Sequence, residues 1–216
     1  MKIYKPSDGR KILSKKNIII FDFDGVLVDS VEIKTSAFAS IYHKYGEEVK
    51  AKVILHHEQN GGMSRYDKFK HYHNEFLGVK VDESILRELS ATFSSSVVDR
   101  IVDSKEVEGV TEILNFAKSQ EIICTIASAA PKKEVIEIVK RRGWNKYFKF
   151  VLGSPITKED NINIILNKSK SIVSKAIFFG DSPNDLLAAK KCNVDFMPIN
   201  YLAENDFGFR DLIKQI

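Results

Sequence analysis

The residues with the clearest chemical potential are four aspartates held in two short strings. Asp22 and Asp24 lie in IIIFDFDGVLVDS, from Ile18 to Ser30, and Asp181 and Asp185 lie in FFGDSPNDLLAAK, from Phe178 to Lys190. Alternate residues of a strand point the same way, at ~3.3 Å per residue, so the Asp22 and Asp24 carboxylates can face one site. Such spacing leaves room for a reacting group and a metal ion. A hydroxyl, Ser128 in IASAA, and a cation, Lys158 in GSPITKED, follow at the ends of later apolar runs. Each has a plainer reading as well. Strand-end acids are often merely solvated, Ser128 could cap a helix, and Lys158 could be a solvated loop lysine. Asp181 could cap a helix whose first turn Asp185 stabilises.

The elements that must position these residues are legible as apolar runs. Ile18–Phe21, Ile122–Ala127, Phe150–Leu152 and Ala176–Phe179 are too continuous for half-exposed strands and read as strands buried on both faces. Helical patterns separate them. Val110, Ile113, Leu114 and Ala117 fall on one face, Val135, Ile136 and Val139 on another, and shorter helices are expected over 163–170 and 185–191. Alternating strands and helices predict an α/β fold, a Rossmann-like parallel sheet with helices on both faces. Gly25 lets the chain turn after the first strand, and ligands of open parallel sheets bind at that carboxyl edge.

DFDGVLVDS resembles the nucleophile motif of the haloacid dehalogenase superfamily. Ser128, Lys158 and the G-D-x-x-x-D string from Gly180 to Asp185 follow in that family's order. The resemblance implies that Asp22 attacks phosphorus to form an aspartyl-phosphate. Asp24 would protonate the leaving oxygen and then deprotonate the hydrolytic water, work that needs two carboxyls in different protonation states. It further implies that Ser128 and Ala129 bind phosphoryl oxygens and that Lys158 bridges Asp22 and the phosphate. Mg2+ would be held by Asp22, Asp181, Asp185 and the main-chain carbonyl of Asp24. The charge count agrees with a cation: two like charges ~4 Å apart repel by roughly 4 kcal/mol at an effective dielectric near 20, and one lysine cannot offset four acids. Glu159 follows Lys158 where many members have proline, which leaves Lys132 and Lys133 as fallback cations.

Residues 31–105 break the strand–helix rhythm and read as helical throughout. Asp82 is expected to cap a helix in which Ile85, Leu89, Phe93, Val97 and Ile101 form an apolar stripe, and Asn60-Gly61-Gly62 marks a turn. The expected division is a core of 1–30 and 106–216 with a helical cap of 31–105 inserted after the first catalytic strand. GGMSRYDKF, Gly61 to Phe69, resembles the substrate-facing cap loop of the beta-phosphoglucomutase and phosphoglycolate phosphatase-like branch. Arg65 would then pair with a substrate carboxylate or distal phosphate, with Ser64 and Lys68 beside it. A surface arginine and lysine at a helix start is the plainer alternative. Lys34 stands where the mutases of that branch use a histidine, which places a phosphatase ahead of a phosphomutase. The histidines of this stretch, His43, His56, His57, His71 and His73, lack a zinc-binding spacing and are expected to be solvated.

The chain of 216 residues is 44% hydrophobic and 29% charged, ordinary for a soluble globular protein with one sizeable core and a modest second module. No apolar run suits a bilayer, and the opening MKIYKPSDGRKILSKK lacks the apolar core of a secretory signal. Two cysteines, Cys124 and Cys192, suit a reducing cytoplasm. A net charge of +4 with interspersed signs gives nucleic acid little support as a partner. The expected function is a Mg-dependent phosphatase acting on a small phosphorylated metabolite, a sugar phosphate or phosphoglycolate-like ester. The alternatives are a phosphomutase of the beta-phosphoglucomutase type and an inactive regulatory protein that binds metal and phosphate. Nothing in the sequence speaks to oligomeric state.

Overall fold

A computed structural model of the chain describes residues 1–4 and 12–200. Part of the basic opening stretch, 5–11, lies outside the described residues. The branched apolar run Ile18–Phe21 (β1) forms a fully buried strand. Ile123–Pro131 (β2), Phe148–Ser154 (β3), Ala176–Gly180 (β4) and Asp195–Pro198 (β5) join it in one sheet of order β3-β2-β1-β4-β5, every pair parallel. The last strand, only four residues long, has no counterpart among the expected runs.

Period-two alternation divides β1 between two cores. Ile19 and Phe21 enter the larger cluster, together with Ile113 and Leu114 of Val110–Ser119 and Val135 and Ile138 of Lys132–Arg141. Ile18 and Ile20 enter the other, with Ile162 and Ile165 of Lys158–Ser169 and Ala188 and Ala189 of Pro183–Lys191. Helices therefore cover both faces, as the continuous apolar strands require. From Val31 to Lys191 the α-helices are, in chain order, Val31–Tyr42 (α1), Glu47–Gln59 (α2), Arg65–His71 (α3), Glu83–Asp103 (α4), Val110–Ser119 (α5), Lys132–Arg141 (α6), Lys158–Ser169 (α7) and Pro183–Lys191 (α8).

Elements α1 to α4 all fall between β1 and β2, and no strand interrupts them among the described residues. Their apolar faces meet through an aromatic group in which Phe38 lies 4.4 Å from Phe93 and 5.4 Å from Phe69, centroid to centroid. Each such buried ring contributes on the order of 2–3 kcal/mol from area alone. Asp82 caps α4, accepting from the Ser84 and Ile85 amides. Two expected faces are shifted. In α4 the buried line is Leu86, Ser90, Phe93, Val97 and Ile101, with Ile85 exposed. In α6 Ile138 is buried with Val135 and Val139, and Ile136 faces out. The helix expected over 163–170 begins five residues earlier at Lys158, because Thr157 caps it by accepting from the Asp160 amide.

Candidate active site

Register brings the acids together. Phe21 is level with Phe179, and the Asp22 amide donates to the Phe179 carbonyl at 2.8 Å, so β1 and β4 end side by side. Asp22 and Asp181 leave those adjacent ends at the point where strand order reverses. Asp22, Asp181 and Asp185 each offer a carboxylate oxygen, all within 4.8 Å of one another. Gly25, at φ 75°, crosses so close to Asp181 that a Cβ there would run into its carboxylate.

Lys158, the first residue of α7, lies between two of these acids. Its ammonium contacts Asp22 at 3.0 Å and also pairs with Asp185. The other Asp185 oxygen accepts from the Asp181 amide at 3.2 Å, the Ser182 amide at 3.1 Å and the Ser182 hydroxyl at 2.7 Å. The residue that caps α8 is thus Ser182, in a capping box with Asp185, and not Asp181, whose carboxyl is left for the site. Ser128 is nearly inaccessible within β2, and its hydroxyl accepts from the Ala130 amide at 3.0 Å. The helix that follows takes Pro131 as its cap position, so Ser128 does not cap it. Lys132 and Lys133, the fallback cations, are not among the residues lining the cavity described next.

A cavity of about 600 Å³ opens onto this edge, bounded by Asp22, Asp24, Asp181, Ser128 and Ala129 below and by the helical segment above. Lys34 of α1 and Ser30, just before that helix, clamp Asp24. Ser30 donates to one carboxylate oxygen at 2.6 Å and Lys34 pairs with the other at 2.5 Å. Ser30 stands at the N-cap position of α1 yet makes no side-chain cap bond there. Asn184 donates to the Gly61 carbonyl at 2.6 Å, joining the expected turn to the acidic loop.

The electrostatics divide these groups. Burial, then Asp185, pushes Asp22 up to about 7. Burial, then Asp22, pushes Asp181 up to about 9. Burial acts upward on Asp24 too, but Lys34 and Ser30 outweigh it and hold that carboxyl below its ordinary range. Burial would lower Lys158, yet Asp185 and Asp22 keep it firmly protonated.

The helical segment departs from expectation. Arg65 lines the cavity, but its fork is engaged: its side chain is 4% exposed, pairs with Glu134 of α6 at 2.6 Å and donates to Ser94 at 2.7 Å. Ser94 in turn donates to the other Glu134 oxygen at 2.6 Å. Ser64 caps α3 and exchanges bonds with Asp67, away from the cavity lining. Lys68 does line the cavity, beside His57. His57 and His73 are buried, because they face the aromatic group and not solvent. Lys34 and Ser30 were visible in the sequence as a pair one helical turn apart. Glu134 carried no local signal.

With this geometry in place, the comparisons are specific. Residues 19–199 match the family model described as haloacid dehalogenase-like hydrolase. The chain belongs to that family. It is 25% identical over 187 residues to a phosphorylated carbohydrates phosphatase of Thermotoga maritima, covering 82% of each chain. It is 24% identical to phosphoglycolate phosphatase 1 of Pseudomonas aeruginosa, covering 85% of this chain and 69% of that one. A beta-phosphoglucomutase from Clostridium difficile shares the fold with a TM-score of 0.73 at 18% identity, over 88% of this chain and 92% of that one. These relatives support a phosphoric monoester hydrolase.

Two outcomes follow. Arg65→Ala leaves Glu134 buried without a counter-ion and is expected to lose ~3–5 kcal/mol of stability, whereas Arg65→Met with Glu134→Leu recovers most of it. Chemical denaturation of the single and double variants measures this, and a single variant as stable as the parent would deny the pair. Asp22 and Asp181 both sit above their ordinary 3.8. In chelator, their contribution to stability is therefore complete below about pH 4 and lost as pH rises through about 7 and about 9. A divalent ion needs the deprotonated forms, so its stabilisation grows across that window. Thermal melts with Mg2+ and with chelator should diverge as pH rises from about 6 to about 9. A gap that stays flat or closes rules out a cation site on these acids.

Proposed function

We propose that this chain is a Mg-dependent phosphatase that hydrolyses a small phosphorylated metabolite, a sugar phosphate or phosphoglycolate-like ester, through an aspartyl-phosphate on Asp22. The observation that carries the proposal is the Lys158 ammonium lodged between Asp22 and Asp185, with Asp181 beside them at one sheet edge. In the first half-reaction an Asp22 oxygen bonds to phosphorus and the ester P–O bond breaks. Asp24 gives a proton to the departing oxygen. In the second, Asp24 takes a proton from water as its oxygen attacks phosphorus and the bond to Asp22 breaks. Lys158 offsets the approach of carboxylate to phosphate, and Ser128 with Ala129 holds a non-bridging oxygen.

The acidic group suits a hard divalent cation, since three carboxylates, two of them buried, share a small volume with one ammonium. Asp22, Asp181, Asp185 and the main-chain carbonyl of Asp24 would hold it. Bound Mg2+ would supply positive charge to the phosphoryl oxygens. Asp185 also braces Lys158 and the Asp181–Ser182 amides. Catalysed hydrolysis of phosphate monoesters gains up to ~10²¹-fold, of which acid–base work gives only ~10²–10⁴. Most of the gain must come from positioning and preorganised charge.

Residues 31–105 are proposed as a cap over a core of 1–30 and 106–216. An all-helical segment that walls the cavity and touches the acidic loop through Gly61 and Asn184 supports this division. Two free, buried cysteines fit a reducing cytoplasm, and no described helix is long and apolar enough to cross a membrane. Lys34 in place of a histidine favours a phosphatase over a phosphomutase.

A panel of small phosphate esters with Mg2+, scored by phosphate release, tests the reading. Asp22→Asn is expected to lower turnover at least about a thousandfold, and chelator to abolish it until Mg2+ is restored. Undiminished turnover in either case would sink the mechanism. Isomer formation without free phosphate would select the mutase, and tight binding with no turnover the regulatory protein.

A further inference from the structure

The helical segment meets the rest of the chain along two edges of unequal strength. One is the seam between α4 and α6. There Glu134 pairs with Arg65 and accepts from Ser94, each at 2.6 Å. Further along α4, Asp99 pairs with Arg141 at 2.7 Å. The Arg142 guanidinium then reaches the carbonyls of Ile101, Val102 and Ser104 at 2.8, 2.9 and 2.9 Å. From Ser94 to Ser104 these anchors occupy roughly 15 Å of helix. Both chain crossings lie at the Ser104 end, where the Asp29 amide donates to the Lys105 carbonyl at 3.0 Å and the Val107 amide to the Leu27 carbonyl at 3.2 Å.

The other edge is the glycine turn, where it meets the start of α8. Among the described residues a single hydrogen bond joins them, from Asn184 to the Gly61 carbonyl at 2.6 Å, and no ion pair does. The turn is seated closely. A Cβ on Gly62, whose φ is 74°, would stand 2.7 Å from the Ser182 hydroxyl and 3.1 Å from the Asn184 Cβ. Since α6 follows β2 and α8 follows β4, and those strands flank β1, the stretch from Gly61 to Arg65 is anchored on both sides of the strand that delivers Asp22. Gly61, Gly62, Met63 and Arg65 all line the cavity.

Parting Arg65 from Glu134 would leave two buried charges uncompensated, whereas parting Asn184 from Gly61 exchanges one neutral hydrogen bond for water. Lys34, which pairs with Asp24, lies one helical turn past Ser30 and so close to the crossings that a rotation there displaces it little. We infer that the helical segment opens as a lid along its α8 edge, turning on the α4–α6 seam, with Asn184 as the residue that holds the glycine turn shut over the cavity. The inference rests on the reading of 31–105 as a cap and not on which ester is the substrate. Substrate and product pass between the glycine turn and the acidic loop. The latch residue adjoins Asp185 in α8, so the lid seats on the same turn that carries an acid of the site.

Thiol accessibility tests this without requiring turnover. Ala130 is 6% exposed and lines the cavity, so Ala130→Cys serves as a reporter that a bulky fluorescein maleimide reaches when the lid opens. The parent chain, with Cys124 and Cys192 buried, gives the background. In the reporter chain Asn184→Ala should speed labelling about fivefold, the change in open population that loss of one neutral hydrogen bond gives. Gly62→Ala should speed it as well, by crowding the seat. Arg65→Met with Glu134→Leu keeps the seam packed and should leave the rate within about twofold of the reporter alone. Faster labelling from the seam pair and not from Asn184→Ala would put the opening on the other edge and overturn the inference. Equal acceleration by both would mean that the segment lifts as one piece, and no acceleration by either α8-edge variant that Asn184 holds nothing; each overturns it too. Phosphate release with labelling indifferent to Asn184→Ala would retain the phosphatase and reject the latch. The expected labelling pattern in a chain that hydrolyses no ester would do the reverse.

Discussion

Like charge crowded into a dry corner is the constraint on which the rest depends. Three carboxylates meet within 4.8 Å at the ends of β1 and β4, and one ammonium stands among them. Lys158 is the first residue of α7, where the helix dipole disfavours a cation by ~0.3–1 kcal/mol. Attraction to each acid at about 4 Å is roughly 4 kcal/mol at an effective dielectric near 20, so the carboxylates win. Asp185 has the opposite advantage, since it lies in the first turn of α8 and accepts from amides there. The sheet register therefore sets where charge accumulates, and the two helix starts are arranged to tolerate it.

The same economy of charge separates the two aspartates of the first motif. Asp22 is raised because burial and Asp185 disfavour its ionised form. Asp24, two residues on, is held low because Lys34 of α1 and Ser30 at its N-cap position outweigh its burial. The roles proposed for the pair need the opposite sense, an ionised Asp22 and a protonated Asp24, and a divalent cation held by Asp22 would favour the ionised form there. In the proposed reaction Lys34 favours the half in which Asp24 takes a proton from water, and it works against the half in which Asp24 donates one.

Legibility in the sequence followed the range of the interaction responsible. β1 matched its apolar run from end to end, because a continuous branched string has one comfortable conformation between two cores. Asp82 as the cap of α4 was likewise legible, since its partners are two and three residues away. The face of α4 was not. Leu86 and Ser90 are buried in place of Ile85 because the partners that choose the face come from α1 and α3. The Arg65 contact was further out of reach, as Glu134 lies 69 residues along the chain. Ser182 displaced Asp181 as the cap of α8 because Asp185 completes a reciprocal pair with it.

Two cations three residues apart on α3 show how differently equally buried charges can be partnered. Arg65 and Lys68 are both almost wholly enclosed. The planar guanidinium lies 4.4 Å from the Phe93 ring centroid and has acceptors on Glu134, Ser94 and the Ser90 carbonyl. With its charge balanced and its fork directed at α4 and α6, it ties the helical segment to the rest of the chain. Among the described residues the ammonium of Lys68 has the neutral His57 to accept from it, and the acids that act on it, Asp24 and Asp181, line the cavity without pairing with it. A cation whose partners are all protein belongs to the scaffold. Lys68 instead meets a neutral acceptor on the cavity wall, and that difference follows from partner chemistry, not from position in the motif.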